Sequence, residues 1–404
     1  MEQENIRRIV ERKYLMTDIG RINNIRQLYT EFSPNVDYEA LCSSAFFPAL
    51  EEMMAPVLDN FDDSASSNVA YWKERGMVKE CHGANDPVDW DDYERKNGYR
   101  WDPKGFITAQ NSHVFWNSYV PLSACAPENK GRKYPTIFVL HGANNGMFLM
   151  EGWGFIAEAA RREWIVIVPA LEVDDFILDI LEQAKQLYPI DESRVYAAGF
   201  SYGGWCSNRL GNKYPEIFAA VAPCGSAMDS GFTPGDPHDR EPIPPFDGIP
   251  RALALNTYMP IINCYGDCDG NRFPFYDFKG KAFGMVTHTR PQDLIDGINS
   301  WARVNKVREL TLEGVMALKE DPDAADVEKE TGIPLEKGCG NTFYADGVRF
   351  HTCDFRSEDG IVRMRILAEM NIPHWPTPEM VRQIFAFFSH FSRDPKTAES
   401  IYHA

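Results

Sequence analysis

The chain has 404 residues, 44% of them hydrophobic and 25% charged, an ordinary globular composition with room for a sizeable core. Its formal net charge of −18 speaks against nucleic acid or an anionic membrane as the main partner, because both need clustered Lys and Arg. The first residues, MEQENIRRIVERKYL, are charged from the start and no apolar run reaches about 18 residues, so neither a secretory leader nor a membrane span is expected, and a cytoplasmic location is.

Residues 1–104 differ from the rest. Ile6, Ile9 and Val10 fall at helical spacing, and DYEALCSSAFFPALEEMMAPVLDNF is helix-like although Pro48 and Pro56 interrupt it. Tyr71 to Pro103 is polar and aromatic and reads as loops. This gives a mostly helical N-terminal extension ahead of a domain at 105–404. In that domain strands are predicted at 113–120 and 135–140, then a helix at 151–162, a strand at 164–168 and a helix at 173–188. A strand ends at Gly199, a helix covers 203–213 and stops before Pro215, and strands follow at 217–223 and 259–265. Short apolar strands alternating with amphipathic helices predict an α/β fold, a mostly parallel sheet with helices on both faces. Two stretches break the rhythm. Residues 226–258, rich in Pro, Gly and Asp, read as a surface loop. Residues 305–345 read as an acidic insertion with at most two short helices. The nine cysteines are scattered, and the closest pair, Cys264 and Cys268, has no neighbouring His, so they read as free thiols and no metal or other cofactor is expected.

The stretch RVYAAGFSYGGW carries the first chemistry. Gly199-Phe200-Ser201-Tyr202-Gly203 is a G-x-S-x-G pattern with a strand running into it and a helix leaving it. In such a turn the Ser hydroxyl is exposed at a sharp bend, and the positions two before and two after must be small. The N–H of Tyr202 then points above the Ser at a helix N-terminus, where partial positive charge gathers. The plainer alternative is a Ser that only caps the helix. A second oxyanion donor belongs after an earlier strand. PTIFVLHGANNG supplies it: His141-Gly142 opens a Gly-rich turn in which Ala143 or Asn144 presents its N–H. The base must follow the acid in the chain, which removes His82, His113, His141 and His238. His288 sits in a polar loop, His351 mid-strand, His390 in the last helix and His403 in the tail. His374 remains, between the strand IVRMRILAEM and a helix with Met380, Ile384, Phe387, Phe388 and Phe391 on one face, N-capped by Thr377 with Pro378 in its first turn. For the orienting carboxylate the loop after MPIINCY offers Asp267 and Asp269, and Asp229 is a remote third choice.

Four stretches together resemble the α/β-hydrolase superfamily, and within it the polyhydroxybutyrate-depolymerase-like and feruloyl-esterase-like serine esterases. They are PTIFVLHGANNG, YPIDESRVYAAGFSYGGWCSNRLGNKYPEIFAAVAPCGS, INCYGDCDG and IPHWPTPEMVRQIFAFF, and the likeness runs over about 105–395. The resemblance implies an α/β-hydrolase fold and a catalytic triad of Ser201, Asp269 and His374. It favours Asp269 because related esterases place the acid in a pattern like Gly-x-x-Asp; Asp267 leaves the strand first and is placed to satisfy turn amides. The expected substrate is a small-molecule or polymer-linked ester. GFSYGG also resembles the nucleophile turn of prolyl-oligopeptidase-type enzymes, which makes a serine peptidase the first rival. A non-catalytic binding module on a hydrolase fold is the second. Aromatics near the motifs, Trp153, Trp205, Trp375, Phe273 and Phe275, are expected mostly in the core. The extension and the insertion are expected to shape access to the site or a homo-oligomer interface.

Overall fold

The computed structural model describes residues 37, 40, 43–45, 49, 98–107, 113–142, 150, 153–226, 228, 251–269, 273–277, 291–372, 374 and 376–404. The predicted helix around Ile6–Val10, most of the helix-like stretch from Asp37, of which Ala40, Ser43 and Ala49 are described and helical, and most of the loop at 226–258 lie outside the described residues. Ten strands form one sheet: β1 (Tyr99–Ile107), β2 (His113–Pro121), β3 (Tyr134–Leu140), β4 (Ile165–Pro169), β5 (Ile190–Phe200), β6 (Ala220–Cys224), β7 (Ile261–Gly266), β8 (Gly340–Ala345), β9 (Val348–Arg356) and β10 (Val362–Glu369). Their order is β1-β2-β4-β3-β5-β6-β7-β10-β9-β8. From β4 to β10 every neighbouring pair is parallel; the pairs at both edges are antiparallel.

The parallel strands are buried on both faces, as continuous apolar runs require. Side chains alternate along β3: Ile137 and Val139 join one core, Phe138 and Leu140 the other. The first core is covered by α1 (Phe155–Arg162) and by the last long helix; the second by α2 (Asp174–Leu187), α3 (Tyr202–Lys213) and α4 (Pro291–Asn305). This is the α/β-hydrolase arrangement the sequence predicts.

Three details differ from the sequence reading. The expected boundary at 104/105 falls inside β1, which pairs with β2 from Tyr99 to Ile107, so the sheet takes in residues assigned to the extension. The acidic insertion holds its two short helices, α5 (Leu312–Ala317) and α6 (Asp326–Thr331). Yet Val315, Val327 and Ile333 are buried in the same core as α4, Leu318 is buried too, and the end of the insertion forms β8. The charges hide an apolar residue every few positions, so this segment contributes side chains to the core. Finally, the last long helix, α7 (Pro378–Phe388), ends before His390; His390 sits in the turn that follows, and Phe391 opens β11 (Phe391–Arg393), which pairs with β12 (Ser400–Tyr402).

α7 starts as predicted. The Thr377 hydroxyl accepts from the Met380 N–H at 3.1 Å and Pro378 takes the first position. The helix is pinned by an aromatic stack: Trp164 lies on Tyr196, and Tyr196 on Phe388, each with centroids 4.9 Å apart. The C-terminal end of α7 is thereby fixed against the middle of β5 and the start of β4.

Candidate active site

β5 runs to Phe200 and α3 begins at Tyr202, so Ser201 alone makes the turn. It does so at φ 58° and ψ −115°, a conformation that costs a residue with a Cβ about 1–3 kcal/mol. The backbone is held from both sides: Ser201 N–H donates to the Cys224 carbonyl at 2.8 Å and its carbonyl accepts from Trp205 N–H at 3.1 Å. Its side chain accepts no capping hydrogen bond from the helix. A Cβ on Gly199 would run into the backbone of Gly203, and one on Gly203 into the carbonyls of Leu140 and His141. These glycines are therefore small for the steric reason the motif implies.

Charged residues that the sequence reading did not single out hold the elbow from beneath. The Arg209 guanidinium donates to Asp174 at 2.7 Å and to the Glu172 carbonyl at 2.8 Å, and stacks 4.7 Å from the Trp205 ring centroid. Lys213 donates to the other Asp174 oxygen at 2.9 Å. All four of these charged and carbonyl-bearing residues are buried, where unpaired charge would be costly.

His141, at the end of β3, is also buried. Its Nδ1 lies 3.0 Å from the Gly142 carbonyl and 2.9 Å from Glu172 Oε1, and its Nε2 lies 3.2 Å from the Ala170 carbonyl. Both ring nitrogens thus face acceptors, which suits the imidazolium. Burial pushes its pKa down, but the Glu172 carboxylate and the carbonyl partners outweigh it and raise the group to about 9. Ala143 and Asn144, the candidate oxyanion donors after this turn, lie outside the described residues, as do Asp229, His82, His238, His288 and Trp375.

The remaining pieces converge at the ends of β7 and β10. These strands pair in parallel, with Gly266 opposite Glu369, so the loops carrying Asp269 and His374 leave from one rung. His374 Nδ1 lies 2.9 Å from Asp269 Oδ2. Asp269 is buried and the His374 ring is 12% exposed. That ring sits 4.6 Å from the ring of Phe200, the neighbour of Ser201. Gly225, just after β6, lies between them: a Cβ there would meet both Phe200 and the His374 Cε1. The structure therefore brings together Ser201, Tyr202, Asp269 and His374 at one end of the sheet. Asp267 faces elsewhere. Its Oδ1 accepts the Ile372 N–H at 3.1 Å, and burial, only partly offset by backbone and Cys268 hydrogen bonds, raises its pKa.

His351 lies in the middle of β9, fully buried, with Thr342 Oγ1 2.8 Å from Nδ1 and Glu330 Oε2 2.7 Å from Nε2. Trp153 is buried edge-on to Phe200, and Phe273 and Phe275 are buried and stacked on each other, in line with core roles. From the N-terminal segment, Asp37 exchanges two hydrogen bonds with Asn371, three residues before His374: Asp37 N–H to Oδ1 at 2.6 Å, and Nδ2 to the Asp37 carbonyl at 2.8 Å. Among the described residues no group of three or more His, Cys, Asp or Glu is placed to hold a metal ion, and no helix is long and apolar enough to cross a membrane.

Comparison with known proteins gives partial matches. Residues 169–238, which contain the elbow, match the prolyl oligopeptidase family. Feruloyl esterase B of Thermothelomyces thermophilus is 31% identical over 128 residues, 30% of this chain and 41% of that one. Poly(3-hydroxyalkanoate) depolymerase C of Paucimonas lemoignei is 25% identical over 136 residues, 26% of this chain and 33% of that one. The matched stretches thus span less than half the length of either relative. Among solved structures, the feruloyl esterase module of Clostridium thermocellum gives a loose likeness, with a TM-score of 0.40 at 12% identity over 76% of this chain and 92% of that one. By sequence the chain resembles serine esterases of the α/β-hydrolase superfamily.

Proposed function

We propose that the chain is a serine hydrolase that cleaves carboxylic esters, with Ser201 as nucleophile, His374 as general base and Asp269 as its orienting carboxylate. The observation that carries the reading is the strained Ser201 turn at the same sheet end as a hydrogen-bonded His374–Asp269 pair. In this mechanism His374 takes the Ser201 proton as Oγ attacks the ester carbonyl. The N–H of Tyr202, with that of Ala143 or Asn144, receives the developing oxyanion. His374 returns its proton to the leaving alcohol, and a water that it deprotonates releases the acid from the acyl-enzyme. Asp269 accepts the Nδ1–H, which fixes the tautomer and stabilises the imidazolium.

The alcohol and acyl parts are those of a small-molecule or polymer-linked ester; the names of the two relatives support this class. A reducing compartment suits the scattered cysteines of the chain, which read as thiols rather than a disulfide framework.

The test is labelling by a serine-directed fluorophosphonate together with turnover of an ester panel that varies the acyl and alcohol parts. The wild type should be labelled and should turn over at least one ester, and Ser201→Ala should do neither. An unlabelled wild type would point to a binding module. The match to the prolyl oligopeptidase family favours one second reading, a serine peptidase. Cleavage of an aminoacyl amide at a rate comparable to the best ester would select it.

A further inference from the structure

The candidate acid and base stand on two loops, and the question is what holds these loops in register. Asp267 N–H donates to the Glu369 carbonyl at 3.0 Å, and Cys268 N–H to the Ile372 carbonyl at 3.1 Å. The Asp267 carboxyl receives the Ile372 N–H. The tightest tie is a side-chain staple: Thr377 Oγ1 donates to Glu369 Oε2 at 2.6 Å. Glu369 ends β10 and Thr377 caps α7, so this one bond closes the loop from which His374 projects. Glu369 is 1% exposed. No described basic side chain is hydrogen-bonded to it.

We propose that Glu369 is a positioning residue for the hydrolytic reaction, a neutral carboxylic acid that staples the base loop to the end of β10 through Thr377 and so aims His374 at Ser201. The proposal rests on the serine-hydrolase reading above. Its chemistry follows from the surroundings. The titratable groups facing Glu369 are Asp267 and Asp269 from the loop after β7, Cys264 of β7, and Glu379 of α7. Four carboxyls in one buried corner cannot all ionise cheaply. Glu379 has its own cation, Arg382, at 2.7 Å, and Asp269 faces the imidazole; Glu369 has neither. Burial first, and then the repulsion of Glu379, Asp269 and Asp267, outweigh the Thr377 hydrogen bond and push its pKa up to about 8. When Glu369 does lose its proton to solvent, a new negative charge stands beside Asp269. That charge repels the acid loop, so Asp269, and with it the ring of His374, is displaced from its aim.

Glutamine keeps the acceptor for Thr377 and cannot ionise; alanine removes the staple. The experiment measures kcat and KM for 4-nitrophenyl acetate from about pH 6 to 9.5, for wild type, Glu369→Gln and Glu369→Ala. At neutral pH the Gln variant should stay within about threefold of wild type, while the Ala variant should lose about tenfold in kcat with KM little changed, because only the aim of the base is disturbed. Wild-type kcat should fall as pH rises through about 8; the Gln variant should lack that fall. A Gln variant that falls with the wild-type midpoint, or a folded Ala variant with wild-type kcat, overturns the proposal. A second measurement needs no turnover. Because the native pKa of Glu369 lies above its ordinary 4.5, the stability it lends is full below that value and is lost as pH climbs to about 8. The melting temperature of the wild type should therefore decline over that window relative to the Gln variant. Parallel melting curves also overturn the proposal. If the serine-hydrolase reading itself fails, the wild type will be unlabelled and inactive at every pH, a result distinct from an active enzyme whose two pH profiles coincide.

Discussion

Three described histidines sit against a carboxylate; His141 is locked between Glu172 and two carbonyls, and of the other two only His374 is placed as a candidate base. His374 lies 2.9 Å from Asp269 and His351 lies 2.7 Å from Glu330. By hydrogen-bond length alone His351 would be the better pair. Its position decides otherwise. It stands in mid-strand on β9, 0% exposed, with one ring nitrogen against Thr342 and the other against Glu330, so neither can take a proton from a substrate-facing serine. β9 is also four strands from β5 in the sheet order, about 19 Å at the usual spacing of about 4.8 Å. The loop carrying His374 instead returns across the strand ends to Phe200. A His–carboxylate bond is thus a common structural device. What marks the candidate base is a ring on a loop at the strand ends, beside the neighbour of Ser201, rather than one enclosed within a strand.

The sharpest way to break this comparison is to remove each histidine. His374→Ala should cut ester turnover by about 10⁴ or more, close to the loss in Ser201→Ala, because the two act as a unit and their effects do not add. Steady-state turnover of the best ester from the panel measures it. If His351→Ala is the inactive variant instead, the base has been assigned to the wrong region. One level down, Asp269→Asn keeps the shape beside His374 but favours the wrong tautomer, and should cost at least about a hundredfold in kcat. Asp267→Asn can still accept the Ile372 N–H through its carbonyl and should cost less than about tenfold. The reverse ranking in two folded variants would move the acid to Asp267.

The same contrast explains what was legible in the sequence. The elbow is local: a strand, a serine that must adopt positive φ, two glycines with no room for a Cβ and a helix all lie within a dozen residues, so composition and order suffice to find it. The strand and helix order of the parallel centre was readable for the same reason, since each element carries its own apolar period. The acid–base corner is tertiary. Asp269 and His374 are 105 residues apart, and Asp269 was preferred over Asp267 through family likeness. Glu369, which ties Thr377 to the end of β10, left no local signal, because a Glu at a strand end is usually solvated. Glu172 beside His141, and Asp174 beneath Arg209, were hidden likewise. β8 escaped notice as an edge strand whose side chains are mostly exposed and show no apolar alternation. The insertion misled in the opposite sense, its acidic surface masking Val315, Leu318, Val327 and Ile333 in the core.

The smallest expected effect on turnover belongs to His351, and it is also the most discriminating. In His351→Ala the imidazole leaves a buried gap between β8, β9 and α6. Thr342 loses its partner, while Glu330 keeps Arg349 at 2.9 Å and so is not left as a lone charge. With Thr342 exposed and Glu330 still paired, the cost should be mainly that of the buried gap, about 0.5–3 kcal/mol of folding stability. Turnover at a temperature where the variant is still folded should stay within about twofold of wild type, because the strand end that carries His374 is β10, which is paired to β7 independently of this side chain. Urea unfolding and steady-state kinetics on one preparation test both halves. Lower stability with unchanged kcat assigns His351 to the scaffold. A large loss of kcat without loss of stability would instead make the β9 pair the working one, and the position argument that separates the two histidines would fall.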